Sequence, residues 1–264
     1  MKFWLEEILR IKYSAELSEA CLLPFYDKSK DFQYINFKLN NCNCSWEEVI
    51  TFVNIGLHNE FYTNVQSVPN PFCMCVLVNK YNQLPSTYIP GDLEVIDHRF
   101  NSSNLLLRHV AREAFEVMCR AAEEQGYHLE AISTFRSYTY QNEVYYRKMT
   151  PEISLDVYQK ERDRVSARAG HSEHQTGLAV DINDLEKTFE DTPEGRWLAK
   201  NAYRYGYILR YPKGEEPITG YDYEPWHFRY LGLEMAEAVS QSNLTYDEFY
   251  VRYLSYTKPT LINN

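Results

Sequence analysis

No run in the chain approaches the roughly 18 consecutive apolar residues that a membrane-spanning helix needs. The first twenty residues, MKFWLEEILRIKYSAELSEA, place glutamates inside what would be the apolar core of a secretory signal. As written, the chain is expected to be soluble and cytoplasmic, any attachment to the cell envelope being left to an anchor outside it. Positive charge is also scarce. Lys and Arg number 27 against 37 Asp and Glu, giving a net charge of −10 and a pI near 5.3. With no basic stripe either, a nucleic-acid partner is disfavoured, because phosphate contacts need clustered cations. The 10 glycines nowhere form a phosphate-cradling loop, no internal repeat or low-complexity segment is present, and no helical HExxH zinc signature occurs.

What is present begins with a large apolar fraction. Hydrophobic residues make up 44% of 264, enough for one large folded domain with a small extension. The 23 tyrosines suit either a groove or, more simply, amphipathic rings covering the edges of a mixed fold. Of the six cysteines, CNC (42–44) and CMC (73–75) could offer four thiolates to a structural metal. The spacing is not that of a CxxC knuckle, so free thiols are expected.

Residues 1–70 read as a helical extension, in which Ser45 and Glu48 of SWEE form a capping box for a helix. SVPNPF marks a boundary, and the remainder, 71–264, reads as the main domain. CMCVLVNK is expected to be its first strand. A helix is expected over 103–125, capped by Ser103, with Leu107, Val110, Ala114, Met118 and Ala121 on one face and Gly126 at its end. HLEAISTF reads as a strand and RSYTYQNEVYYRKM as a helix. Thr192 and Pro193 open another helix that stops at Gly206. YGYILRYP and YDYEPWHFRY are strand-like, and Thr245 with Glu248 suggests a final capping box. Without a strict βαβ rhythm, the class is α+β.

Two stretches carry chemistry. In GHSEHQTGLAVDIND (170–184), alternation puts Leu178, Val180 and Ile182 on one face of a strand and Gly177, Ala179 and Asp181 on the other. A preceding loop can fold His174 back over that small-residue face. In YEPWHFRY (223–230), Pro225 keeps Glu224 out of helical geometry, so Glu224 and His227 are expected on one extended stretch. If the two strands are neighbours, His174, Asp181 and His227 converge as a three-ligand set. A tetrahedral metal would then keep its fourth position for water, as catalytic zinc does, with Glu224 placed to take that water's proton.

SEHQTGLAVDI and EPWH resemble the SxHxxGxAxD and ExxH motifs of the VanY-type D-alanyl-D-alanine carboxypeptidases and dipeptidases, zinc peptidases of peptidoglycan. The resemblance extends through LVNKYNQLP, FRSYTYQ and YGYILRYP, covering roughly residues 76–232. It implies the hedgehog/D,D-peptidase fold, an antiparallel central sheet flanked by helices. It further implies one zinc per chain on His174, Asp181 and His227, Glu224 as general base, and Arg136 as the cation at the scissile carbonyl. Ser172 and Gln141 match positions that line the substrate site, while Ala169 stands where many relatives carry proline. The implied substrate is a peptidoglycan stem peptide or a D-Ala-D-Ala-terminated precursor; separately, the chain is expected to be a monomer. The alternatives are an L,D-carboxypeptidase acting on tetrapeptide stems and a metal-binding module without turnover. His171 and Glu173 are expected to be exposed, Trp226 to pack beside the metal, and Arg210 and Arg229 to form structural ion pairs.

Overall fold

The computed structural model describes residues 13–255. Two compact units are distinguished, divided after Asn64 and after Thr245. In the first, helices α1 (Ser14–Ala20), α2 (Asp31–Asn40) and α3 (Trp46–Ile55) bury Phe25, Tyr34, Val49, Ile50 and Val53 against one another. α3 starts on the expected capping box, with Ser45 Oγ accepting from Glu48 N and Glu48 Oε2 from Ser45 N. It stops at Gly56, whose φ of +114° places it in the left-handed region. Residues 246–255 belong to this unit and pack with its helices. Arg252 reaches Thr51 Oγ1 and Glu47 Oε1 on α3, each at 2.9 Å.

The second unit spans Val65–Thr245. Short pairs come first: β1 (Gln66–Ser67) runs parallel to β2 (Asn82–Gln83), and β3 (Leu93–Val95) antiparallel to β4 (Leu106–Arg108). The main sheet has four strands, β5 (Ala131–Ser133), β6 (Ala179–Ile182), β7 (Tyr207–Leu209) and β8 (His227–Tyr230), in the order β5-β6-β8-β7 and antiparallel throughout. Around it lie α4 (His109–Glu123), α5 (Tyr138–Tyr146), α6 (Leu155–Arg162), α7 (Pro193–Asn201), the single turn α8 (Glu216–Thr219) and α9 (Leu233–Ser242). The core joins one sheet face (Leu178, Val180, Ile182, Phe228) to α4 and α7, so the architecture is the α+β one expected. Among the described residues no helix is long and apolar enough to cross a membrane.

Three local expectations are corrected. Residues 106–108 form β4, so α4 begins at His109 and its buried stripe is Ala111, Phe115, Met118, Cys119 and Ala122. Val110 is 36% exposed; the strand offsets the helix and rotates its inner face by one position. CMCVLVNK is buried from Cys75 onward but is not a strand. Its Met74 and Val76 carbonyls accept from Arg229 Nη2 instead of from a neighbouring strand, which satisfies the backbone without a ladder. Cys73 and Cys75 are joined as a disulfide, not free, whereas Cys21, Cys42, Cys44 and Cys119 are free.

Candidate metal centre

Pairing of β6 with β8 sets Asp181 opposite His227 on one rung of the ladder. Both are central-sheet residues, and both are almost wholly buried. His174 arrives from a different kind of element, a single 3-10 turn over Glu173–Thr176. Ser172 caps that turn by accepting from His174 N, and Gly177 ends it at φ +66° before the chain enters β6. A side chain at 177 would meet Leu93 Cδ2 at 2.9 Å and Arg108 Cγ at 3.0 Å, so both conformation and space require glycine there.

These elements bring one donor atom each from His174, Asp181 and His227 within 4.8 Å of one another, the one such group among the described residues. Asp181 Oδ2 lies 3.2 Å from His174 Nε2, and Asp181 Oδ1 lies 3.0 Å from His227 Nδ1. The two rings thus present different nitrogens to the carboxylate. For His174 the tautomer follows from a backbone contact. Its Nδ1 sits 2.7 Å from the carbonyl of Thr134, and a carbonyl can only accept, so Nδ1 carries the proton. Burial, assisted by the Arg136 charge, pulls His174 down to about 4, so the ring is neutral and Nε2 holds a bare lone pair. That lone pair points at a carboxylate oxygen, two acceptors face to face. A proton or a metal cation between them makes the arrangement favourable, and burial disfavours the proton.

Burial acts against charge on His227, but Asp181 and Glu173 overcome it and lift the ring to about 9. The two histidines in turn hold Asp181 well below the usual carboxylate range in spite of its burial. Glu224 behaves oppositely: burial pushes it up to about 7, with Asp181 adding to the rise and His227 and Arg136 opposing it. Its Oε2 is 3.7 Å from His227 Nδ1. The extended stretch expected through 224–227 is corrected here. Pro225 and Trp226 form a turn, closed by His227 N donating to the Glu224 carbonyl at 3.2 Å. The turn carries the Glu224 side chain back over the rung, where a straight strand would carry it away.

Arg136 Nη2 is 3.7 Å from Asp181 Oδ2, and its backbone N donates to the His174 carbonyl. Both it and the three clustered residues line a cleft of about 870 Å³, as do Glu224, Gln141 and Ser172. Gln141 donates to the Ala167 carbonyl at 2.7 Å and keeps a buried Oε1 without a hydrogen-bond partner among the described residues. Trp226 is partly buried against the core and also lines the cleft.

Two expectations of exposure fail. His171 is 6% exposed, with Nδ1 against the Asn79 carbonyl at 2.8 Å. Glu173 is 1% exposed and lies between Arg210 and Arg229, so the structural pairing expected of those arginines has a partner that sequence reading turned outward. The signal was present in two arginines embedded in apolar strands, which require a buried anion. LVNKYNQLP and the residues just after it support the same loop: Leu84 N donates to the Gly170 carbonyl, and Gln175 Nε2 donates to the carbonyls of Pro85 and Tyr88.

The chain is similar to known proteins in sequence and fold. The family model VanY, D-alanyl-D-alanine carboxypeptidase, matches residues 104–233. YodJ of Bacillus subtilis (strain 168), which carries a carboxypeptidase name, is 39% identical over an alignment of 211 residues that covers 74% of this chain and 76% of that protein. Among solved structures, the LdcB LD-carboxypeptidase aligns at 38% identity and a TM-score of 0.65, over 72% of this chain and 91% of its own. The vancomycin-resistance D,D-pentapeptidase VanY of the VanB-type cassette, in complex with Zn(II), aligns at 30% identity and 0.58, over 67% and 98%. The motif-bearing turn and strands lie within the matched region, and the chain belongs to the VanY-type D-alanyl-D-alanine carboxypeptidase family.

Proposed function

We propose that the protein is a zinc-dependent carboxypeptidase that removes the terminal D-alanine from peptidoglycan stem peptides or from D-Ala-D-Ala-ended precursors. The observation that carries this reading is the confrontation of His174 Nε2 with the Asp181 carboxylate in a buried cleft, which calls for a cation. Two imidazole nitrogens and one carboxylate oxygen suit zinc and leave a position open. Held by His174, Asp181 and His227, one ion per chain would polarise the scissile carbonyl and acidify water at that position.

The chain's own groups supply the rest. Glu224, a buried carboxyl beside the three clustered residues, is placed to take a proton from the attacking water and to return it to the departing amine. Arg136, its charge little diluted by solvent, stabilises the oxygen that becomes negative as the carbonyl is attacked. Gln141 and Ser172 on the cleft wall are read as substrate contacts, Gln141 through its unpartnered Oε1. The helical unit carries none of these groups, and we assign it no part in the chemistry. A binding module without turnover would need neither Glu224 nor Arg136.

A second reading, L,D-carboxypeptidase action on tetrapeptide stems, is favoured by one observation: the similarity to LdcB exceeds that to the VanY structure in both identity and TM-score. The two are separated by offering the zinc-loaded protein D-Ala-D-Ala, a stem pentapeptide and a stem tetrapeptide side by side and measuring released D-alanine. Release from the pentapeptide is expected. Release from the tetrapeptide alone moves the assignment to the L,D class, and cleavage of the dipeptide alone makes it a dipeptidase. No release from any of them, with zinc bound, overturns the enzymatic reading.

A further inference from the structure

Glu173 is not used in the reaction proposed above, yet it is fully enclosed and adjacent in the chain to His174. Its two oxygens are divided between different tasks. Oε1 accepts from Arg210 Nε and from Arg229 Nη1, each at 2.8 Å. Oε2 faces His227 Nε2 at 3.5 Å, and neither of these two buried atoms has a hydrogen-bond partner among the described residues. Arg229 is itself fixed, since Nη2 donates to the carbonyls of Met74 at 2.7 Å and Val76 at 2.9 Å. A buried ion cluster is an expensive way to fill a core. One oxygen pinned by two arginines, with the other aimed at a ring nitrogen, is a means of orienting that ring.

We infer that Glu173 is a positioning residue for His227: its Oε2 accepts the Nε2–H proton and so fixes the tautomer whose lone pair lies on Nδ1, toward Asp181. This inference rests on the metal-centre reading above. When the ring gives up one proton to bind a metal and has no acceptor behind it, the proton that remains gains by staying on Nδ1, where Asp181 Oδ1 at 3.0 Å would bind it and the nitrogen would be lost as a ligand. Thr134 does the corresponding work for His174 through a neutral carbonyl, on the opposite ring nitrogen. Glu173 does it with an anion, which also makes the imidazole a stronger donor to a metal. The neighbours in sequence, 173 and 174, therefore serve different ligands: one supplies a ligand, the other orients a ligand from another strand.

The test uses the full chain loaded with cobalt(II), in which each ligating ring N–H gives its own shifted proton signal in water. In the wild type, two such signals are expected, both exchanging slowly with solvent. In Glu173→Gln the arginines compete for the single amide oxygen, which turns the amide NH2 toward His227. The His227 signal is then expected to exchange fast or vanish while that of His174 persists, and zinc affinity in a chelator competition falls roughly 10- to 100-fold. Arg210→Lys disturbs the same ion cluster but leaves the carboxylate facing His227, so its two signals and its zinc affinity are expected to stay near wild type. Equal losses in the two variants would make the cluster merely structural and overturn the inference. A wild-type His227 proton that exchanges as fast as an exposed ring's overturns it without any variant. A protein that passes these tests but releases no D-alanine overturns the proposed reaction and leaves the role of Glu173 standing.

Discussion

At the scale of single residues, Glu224 and Lys80 show burial shifting two groups with opposite consequences. Glu224 is lifted to about 7, into the range where a carboxyl can both take and give a proton. Glutamine there keeps the size and hydrogen-bonding reach but cannot accept that proton. Glu224→Gln is expected to retain zinc and lower kcat by roughly 10²- to 10⁴-fold, and near-normal kcat with zinc bound would sink the assignment of the base. Lys80 is 1% exposed, donates to the Asp163 carbonyl, and lies 4.0 Å from the centre of the Tyr221 ring. Burial pulls it down to about 7, against the attraction of Asp163. A lysine whose folded pKa lies below its unfolded one leaves the unfolded chain holding more protons between the two values. Stability therefore rises with pH from about 7 toward about 10.4, by on the order of 1 kcal/mol per unit at most. Lys80→Met should remove that rise, measured as the difference between wild-type and variant denaturation midpoints across the window; an unchanged slope would show that Lys80 is not its source. The residues that converge, His174, Asp181, His227 and Glu224, were legible because their types and spacing are dictated by chemistry. Glu173 and Thr134 were not, because one depends on arginines that are distant in the chain and the other acts through its backbone.

At the scale of elements, the site is assembled from a turn, a strand rung and a second turn, and each was readable to a different degree. The alternation of TGLAVDI fixed which residues of β6 share a face, but nothing local revealed that β8 would be its neighbour. The turn at Pro225–Trp226 was missed because a proline just before the aromatic-rich WHFRY fits an extended strand equally well. α4 was placed with its register off by one because LLR pairs with β3 before the helix begins, a tertiary preference that helical periodicity cannot report. The 3-10 turn of His174 depends on Gly177 for its exit. Gly177→Ala would force φ +66° on a residue with a side chain, against Leu93 and Arg108. The expected cost is about 1–3 kcal/mol of stability, together with weaker zinc binding as His174 is displaced. Unchanged zinc affinity in a destabilised Gly177→Ala protein would mean that the turn and the metal centre are independent.

At the scale of the whole molecule, a metal that binds only the folded chain adds its binding energy to stability. At free zinc one hundred times the dissociation constant the gain is about 2.7 kcal/mol. For a folded unit the size of residues 65–245 this is a rise of roughly 5–10 °C in melting temperature, which a chelator should reverse and which Asp181→Ala should lack. The distribution of that gain between rates follows from the rung that joins Asp181 to His227. The three donors meet only after β6 and β8, far apart in sequence, have closed in register, and a slip of one residue would turn Asp181 to the opposite side of the sheet. A chain still searching for that pairing has no complete nest to offer an ion. Zinc is therefore expected to leave the refolding rate nearly unchanged and to slow unfolding, so that in stopped-flow denaturant jumps only the unfolding arm moves. The ion would act as a lock on strand register, closing after the sheet is woven and lengthening the lifetime of chains that were woven correctly.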